Sequence, residues 1–311
     1  MPPPIRSGGP AKNWKHRALY ERIVDAMHAL PARFRTQLRV AGISATDLFT
    51  LNAPLGAAIE SSVVENLNDL RELWDPEGRY EIYSFVRQAQ VFPDVRLQTT
   101  APGIAEDDRI LMGIELKGWF LLAKEGEPSF RYKASPVVCM PQDLLVVFPW
   151  RLDEVISGSP RLLKPFVEEA RYAAEHRNHY WSELRGVTGK PAEIVLAENE
   201  LPYPSKGQKF NDEPKVDKGS NFGRVARGGL MAEFIGELLQ QPISGIPAMH
   251  WQTFLRIFAE GADNEEIERK LKALRSKVEK SNVPAVEIEA LDEVLEGLRK
   301  LLERDVFGLN R

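Results

Sequence analysis

With 311 residues, 43% of them hydrophobic and 28% charged, the chain has the composition of a globular protein with room for one large core or a core with appendages. The formal charge of −4 conceals an uneven distribution: residues 1–40 carry eight Lys and Arg against two acids, residues 201–230 six against three, and residues 41–120 thirteen acids against six bases. No apolar run reaches membrane-spanning length, the first residues lack the apolar core of a signal peptide, and the single cysteine, Cys139, excludes an internal disulfide and a cysteine-based zinc cluster; a cytoplasmic protein is expected.

In chain order, residues 1–12 hold Pro2, Pro3, Pro4, Gly8, Gly9 and Pro10 and read as a loosely attached arm. Between Trp14 and Leu38 the residues Leu19, Ile23, Met27 and Leu30 recur on one face of a basic helix, which Pro31 interrupts. A second helix is expected over 54–74, with Ile59, Val63, Leu67 and Leu70 as its apolar stripe, Pro54 in its first turn and Asp75-Pro76-Glu77-Gly78 as its stop. Residues 79–91 have the aromatic and β-branched content of a strand. Phe92-Pro93-Asp94 then turns the chain into a short strand through Val95 and Leu97, and 99–108 reads as a loop.

Residues 110–123, ILMGIELKGWFLLA, form the central strand. A turn at 125–128, a short strand at 129–133, one or two helical turns within 134–141 and a doubly covered apolar strand at 144–150 follow. A long helix is expected over 160–184, with Leu163, Phe166, Val167, Ala170, Ala174 and Trp181 buried and His176 and His179 as packing or surface histidines. After a short strand at 192–197 comes a stretch, 202–229, dense in Pro, Gly, Lys, Arg and Asn; loops of that length inside a globular chain tend to be functional. Helices follow at 229–240 and 248–259. The seams Ile267, Leu271, Leu274, Val278 and Leu291, Leu295, Leu298, Leu302 predict a helical hairpin that either dimerises the protein or braces its own core.

In the central strand, side chains two apart share a face, so Glu115 and Lys117 point one way while Ile114 and Leu116 point into a core. An acid and a base in so apolar a strand need partners, which marks a site. Glu213-x-Lys215 and Glu268-x-Lys270 repeat the spacing, but in a Pro-rich loop and on a charged helix. Pro93-Asp94 followed by Glu115-x-Lys117 resembles the signature of the PD-(D/E)XK nuclease superfamily, which includes most type II restriction endonucleases. The order helix, three strands, short helix, strand over residues 54–150 is similar to that superfamily's αβββαβ core.

The resemblance implies an α/β (α+β) fold whose core has a mixed sheet, with a helical N-terminal segment and a C-terminal helical hairpin added. The corresponding divisions are a basic arm and helix (1–53), a catalytic core (54–200), a basic loop with helices (201–260) and the hairpin (261–311). It also implies that Asp94 and Glu115 hold one or two Mg²⁺ ions and that Lys117 orients the attacking water or stabilises the phosphate. Glu60 supplies an extra acid, with Glu65 as second choice. The expected activity is sequence-specific cleavage of double-stranded DNA to 5′-phosphate and 3′-hydroxyl ends by a homodimer, beside a companion DNA methyltransferase. Asn221, Arg224 and Arg227, with Lys124, Arg131 and Lys206, are the expected DNA contacts, because Arg, Lys and Asn grip phosphates and base edges. Two other readings are a repair or recombination nuclease of the same superfamily, and a non-catalytic DNA-binding or scaffold protein using the hairpin as its interaction surface.

Overall fold

A computed structural model describes residues 2–41, 45–185, 191–198, 201–217, 221–259 and 264–280, together with 286, 288, 289, 292, 293, 295 and 296. The described helices are α1 (Arg17–Arg33), α2 (Ala45–Asp69), α3 (Arg71–Trp74), α4 (Ala170–His179), α5 (Ala232–Gln240), α6 (Ala248–Ala259) and α7 (Asn264–Glu279). A mixed sheet of six strands lies among them: β1 (Ser84–Arg87), β2 (Val95–Gln98), β3 (Ile110–Phe120), β4 (Leu144–Glu154), β5 (Ser157–Leu162) and β6 (Phe166–Glu169). Two small ribbons, β7 (Ile194–Val195) with β8 (Glu213–Pro214) and β9 (Pro242–Ile243) with β10 (Ile246–Pro247), stand apart from it.

The pairing follows from the connections. β1, β2 and β3 are joined by short links and pair antiparallel, whereas β3 and β4 are separated by the crossover 121–143 and run parallel, from Ile114 beside Leu144 to Phe120 beside Trp150. β4 is long enough for its second edge to be shared. Leu144 to Val147 pair with β6, and Trp150 to Glu154 pair with β5.

Alternation along β3 and β4 sorts the two faces. Ile114, Leu116, Leu144, Val146, Phe148 and Trp150 join one cluster with Leu19, Ile23, Met27 and Leu30 of α1 and Ile59, Val63 and Leu67 of α2. The same cluster takes in Leu238 of α5, Trp251 and Leu255 of α6, Leu271 of α7 and Leu295, so one core crosses all the divisions expected from the sequence. Each fully buried aliphatic or Phe side chain contributes about 1.5–3 kcal/mol. On the opposite face Leu145 packs with Ala170, Ala173 and Ala174 of α4 and with Phe92, Tyr132, Val138 and Cys139.

Several expectations are corrected. The arm is fastened: Arg6 pairs with Glu168 at 2.8 Å, and the backbone N–H groups of Ser7, Gly8 and Gly9 donate to the Glu169 carboxylate. Pro31 sits inside the last turn of α1. α2 begins at Ala45, so Pro54 lies within the helix and not in its first turn. The strand expected over 79–91 is confined to 84–87, because the Asp75 carboxylate turns the chain by accepting the N–H groups of Arg79 and Tyr80.

Residues 129–133 form no strand; the Tyr132 and Ser135 N–H groups bond instead to the carbonyls of Gly223 and Phe210. The turns expected in 134–141 reduce to one 3₁₀ turn, Pro136–Val138. The long helix expected over 160–184 begins only at Ala170, since β4's open edge draws Phe166–Glu169 into the sheet. Of the hairpin, α7 is described, and Leu271 and Leu295 are buried in the chain's own core. Side chains at 267, 274 and 278, and residues 291, 298 and 302, lie outside the described residues. Among the described residues no helix is long and apolar enough to cross a membrane.

Candidate active site

Three elements bring the motif residues together. β2 starts immediately after Asp94, and its register, Val95 opposite Ile114, assigns Val95 to the Ile114 face and Asp94 to the Glu115 face. The Lys117 ammonium is then seated between two carboxylates, 2.8 Å from Asp94 Oδ2 and 2.7 Å from Glu115 Oε1. Asp94 Oδ2 also accepts the Leu116 N–H at 3.1 Å, which ties it to the strand that carries its partners. From the far side of β3, α2 supplies Glu60, whose Oε1 accepts the Gly118 N–H at 2.9 Å.

Electrostatics separates these groups from ordinary surface charges. Glu115 is buried; desolvation pushes its carboxyl up to about 7, the Asp94 charge adds to that rise, and the Lys117 charge opposes it. Lys117 is held above the ordinary lysine range: burial works against its charge, and the Glu115 and Asp94 carboxylates outweigh burial. Burial also raises Glu60, while the Gly118 N–H and the Lys117 charge work the other way. Two carboxylates therefore contact one ammonium, and a third, Glu60, lies within reach of its charge.

The donor chemistry fits a hard cation. Asp94 and Glu115 direct carboxylate oxygens at a common position of positive charge, and carboxylate oxygens are what Mg²⁺ prefers. Among the described residues no set of three His, Cys, Asp or Glu side chains encloses a single ion position; the cation between Asp94 and Glu115 here is Lys117.

The structure places the other expected residues as follows. Glu65 is exposed and lines a separate cleft with Arg35 and Asn66, away from the cluster. Lys124, Arg131 and Lys206 are exposed. Asn221 and Arg227 are engaged with each other, Asn221 Oδ1 accepting from Arg227 Nη1 at 2.8 Å, and Arg227 also pairs with Glu127 at 3.2 Å. Arg224 is half-buried, with its Nε buried and unbonded. His179 is buried and His176 half-buried on α4, as packing histidines would be.

Three features were missed in the sequence. Arg87, exposed on β1, donates to Ser61 Oγ and exerts a favourable charge on Glu60. Asp143 is buried, with its carboxyl pushed up to about 6 by desolvation while it accepts the Met140 and Gly113 N–H groups and the Tyr203 hydroxyl. An acid placed directly before the apolar run 144–150 was the available signal. The third is a buried ion pair: Arg177 of α4 reaches Asp212 at 2.6 Å and donates to the carbonyls of Tyr132 and Ala134, anchoring the 201–217 segment on the sheet.

Comparison of the chain with protein-family models, curated proteins and solved structures finds no match, so the site is interpreted from its own geometry.

Proposed function

We propose that this protein is a Mg²⁺-dependent deoxyribonuclease that hydrolyses double-stranded DNA through a PD-(D/E)XK-like site made of Asp94, Glu115, Lys117 and Glu60. The observation that carries this reading is the seating of Lys117 between Asp94 and Glu115, with Glu60 beside them, on an otherwise apolar strand. An excess of carboxylates in a partly desolvated place is relieved by a proton or by a further cation, and the raised Glu115 carboxyl marks this as such a place. The strand order is compatible with it: α2 precedes antiparallel β1, β2 and β3, and β4 runs parallel to β3, although a single 3₁₀ turn stands where an αβββαβ core would have its crossover helix.

Asp94 and Glu115 would hold the ion. When bound, Mg²⁺ lowers the pKa of a coordinated water and stabilises negative charge growing on the phosphoryl oxygens. Asp94 is kept in place by the Leu116 N–H and Glu60 by the Gly118 N–H, so the carboxylates are oriented before substrate arrives. Lys117 positions the attacking water or neutralises a phosphate oxygen. Arg87, Lys124, Arg131 and Lys206, exposed cations, are suited to backbone phosphates, and the products are 5′-phosphate and 3′-hydroxyl ends.

The finer proposal is a type II restriction-like enzyme: a cytoplasmic homodimer cutting both strands at a defined sequence, partnered by a methyltransferase. A repair or recombination nuclease is the second reading, favoured by the mutual bonding of Asn221 and Arg227, which occupies groups expected to read bases. The deciding experiment incubates wild type and Glu115→Ala with a long mapped duplex, with and without Mg²⁺. Discrete fragments from wild type alone establish the restriction-like activity. A Glu115-dependent smear keeps the nuclease and favours the second reading. Binding without cleavage under any divalent metal refutes the nuclease and leaves a non-catalytic DNA-binding protein.

A further inference from the structure

Gly113 lies on the same face of β3 as Glu115 and Lys117, two and four residues before them, and the space above it is filled. A Cβ at position 113 would stand 2.3 Å from Pro93 Cγ and 3.0 Å from both Pro93 Cβ and Asp143 Oδ1. Only glycine lets the Pro93 ring lie against the strand, and the residue after that ring is Asp94. A proline ring fixes its own φ, so a ring pushed sideways carries the following peptide with it.

Asp143 closes the other side. Its Oδ1 accepts the Gly113 N–H at 2.7 Å and the Tyr203 hydroxyl at 3.0 Å, and its Oδ2 accepts the Met140 N–H at 2.8 Å. Tyr203 belongs to the 201–217 segment and holds a left-handed backbone, φ 51°, that side-chain-bearing residues rarely adopt. Its ring is overlaid by the guanidinium of Arg96, which pairs with Gly113 in the β2–β3 register and donates to the Pro204 carbonyl at 3.1 Å. The 201–217 segment is thus bonded to the motif strand through Tyr203 and Asp143.

We propose that Gly113, Asp143 and Tyr203 are positioning residues of the nuclease site: they set where Pro93, and so Asp94, stands against Glu115 and Lys117, and they join the 201–217 segment to that geometry. The inference rests on the nuclease reading. DNA held by the exposed Lys206 of that segment would be coupled to the metal ligands through Tyr203, Asp143 and Gly113. A displacement of Asp94 by about 1 Å is enough to lower a rate by about 100-fold.

The test compares wild type with Gly113→Ala, Tyr203→Phe and, as a comparator with a cavity in α1, Leu30→Ala. Mn²⁺ affinity is measured by calorimetry, cleavage by single turnover at saturating Mn²⁺, and stability by thermal midpoint. Gly113→Ala is expected to weaken Mn²⁺ binding and slow cleavage by about 10–100-fold each. Tyr203→Phe, which keeps the ring but removes the hydrogen bond to buried Asp143, is expected to slow cleavage by about tenfold, with a lower midpoint from the lost bond. Leu30→Ala is expected to lower the midpoint and leave affinity and rate intact.

Folded Gly113→Ala and Tyr203→Phe with wild-type affinity and rate overturn the inference; if Gly113→Ala does not fold, Tyr203→Phe decides alone. Wild type that neither binds Mn²⁺ nor cuts DNA refutes the nuclease reading separately. Crystal structures of the two variants then decide the geometry. Loss of the Asp94–Lys117 contact supports the positioning role, and its retention at 2.8 Å overturns it.

Discussion

Replacing Asp143 by asparagine should change the pH dependence of stability by a predictable amount. Burial holds the Asp143 carboxyl at about 6, against 3.8 for the free side chain, and its hydrogen bonds only partly offset this. The difference of a little over two units corresponds to about 3 kcal/mol. Between those two values the folded chain binds a proton that the unfolded chain has released, so the contribution of this carboxyl to stability is greatest below about pH 4 and is lost as pH rises through about 6. The substituted amide carries no such proton. It also offers one acceptor oxygen where Asp143 offers two to Gly113, Met140 and Tyr203, which adds a constant offset of about 1–3 kcal/mol. The advantage of wild type over Asp143→Asn should therefore shrink by about 2.4 kcal/mol from pH 4 to pH 7.5. Urea unfolding of both proteins at four pH values across that range measures it. A difference that stays constant would show that Asp143 titrates as an exposed carboxylate does, and one that grows with pH would show that its hydrogen bonds outweigh burial; either result makes the burial argument wrong.

Two further outcomes follow from the charge pairs. Asp212→Ala strands the Arg177 guanidinium in a buried place and should lower stability by about 3–5 kcal/mol, seen as a drop in urea midpoint; a loss of about 0.5 kcal/mol or less would contradict the buried-pair description. Because the Glu115 carboxyl is raised to about 7, the proposed metal binding would have to displace its proton at lower pH. Mn²⁺ affinity should climb by up to about tenfold per pH unit below about pH 7 and level off above it. An affinity flat from pH 5 to 8 would show that Glu115 is ionised throughout that range and that burial does not raise its carboxyl.

The site's strand was legible because its signal is local. A period of two separates Glu115 and Lys117 from Ile114 and Leu116, and a Pro-Asp turn marks the start of the neighbouring strand. Helices α1, α2 and α6 were legible for the same reason, since their apolar stripes repeat with helical spacing. What failed depends on partners distant in sequence. Phe166 and Val167 fit a helical stripe as well as a strand, and only the open edge of β4 decides for the strand. Ser7, Gly8 and Gly9 read as loose chain until Glu169, about 160 residues later, accepts their N–H groups. Asp212 counted as one acid in a basic loop because nothing nearby reveals Arg177, and Gly113 was one more apolar-strand residue until Pro93 was seen against it. Residues 202–229 were legible as a distinct segment but not as a bonded part of the motif strand's support.

The Arg177–Asp212 pair also orders events on the ribosome. Asp212 is made 35 residues after Arg177, a gap of about 2–7 s at ordinary elongation rates of about 5–20 residues per second. During that interval β1 to β6 and α4 are already synthesised, while the carboxylate that neutralises the α4 guanidinium does not yet exist. A nascent chain stopped short of Asp212 has β1 to β6 but not the carboxylate that neutralises Arg177, whose side-chain bonds in the full chain also run to the Tyr132 and Ala134 carbonyls. Completion of the α4 side of the sheet is therefore a late step of synthesis, and Asp94, Glu115 and Lys117 are all translated before the segment that is bonded to their strand through Tyr203 and Asp143.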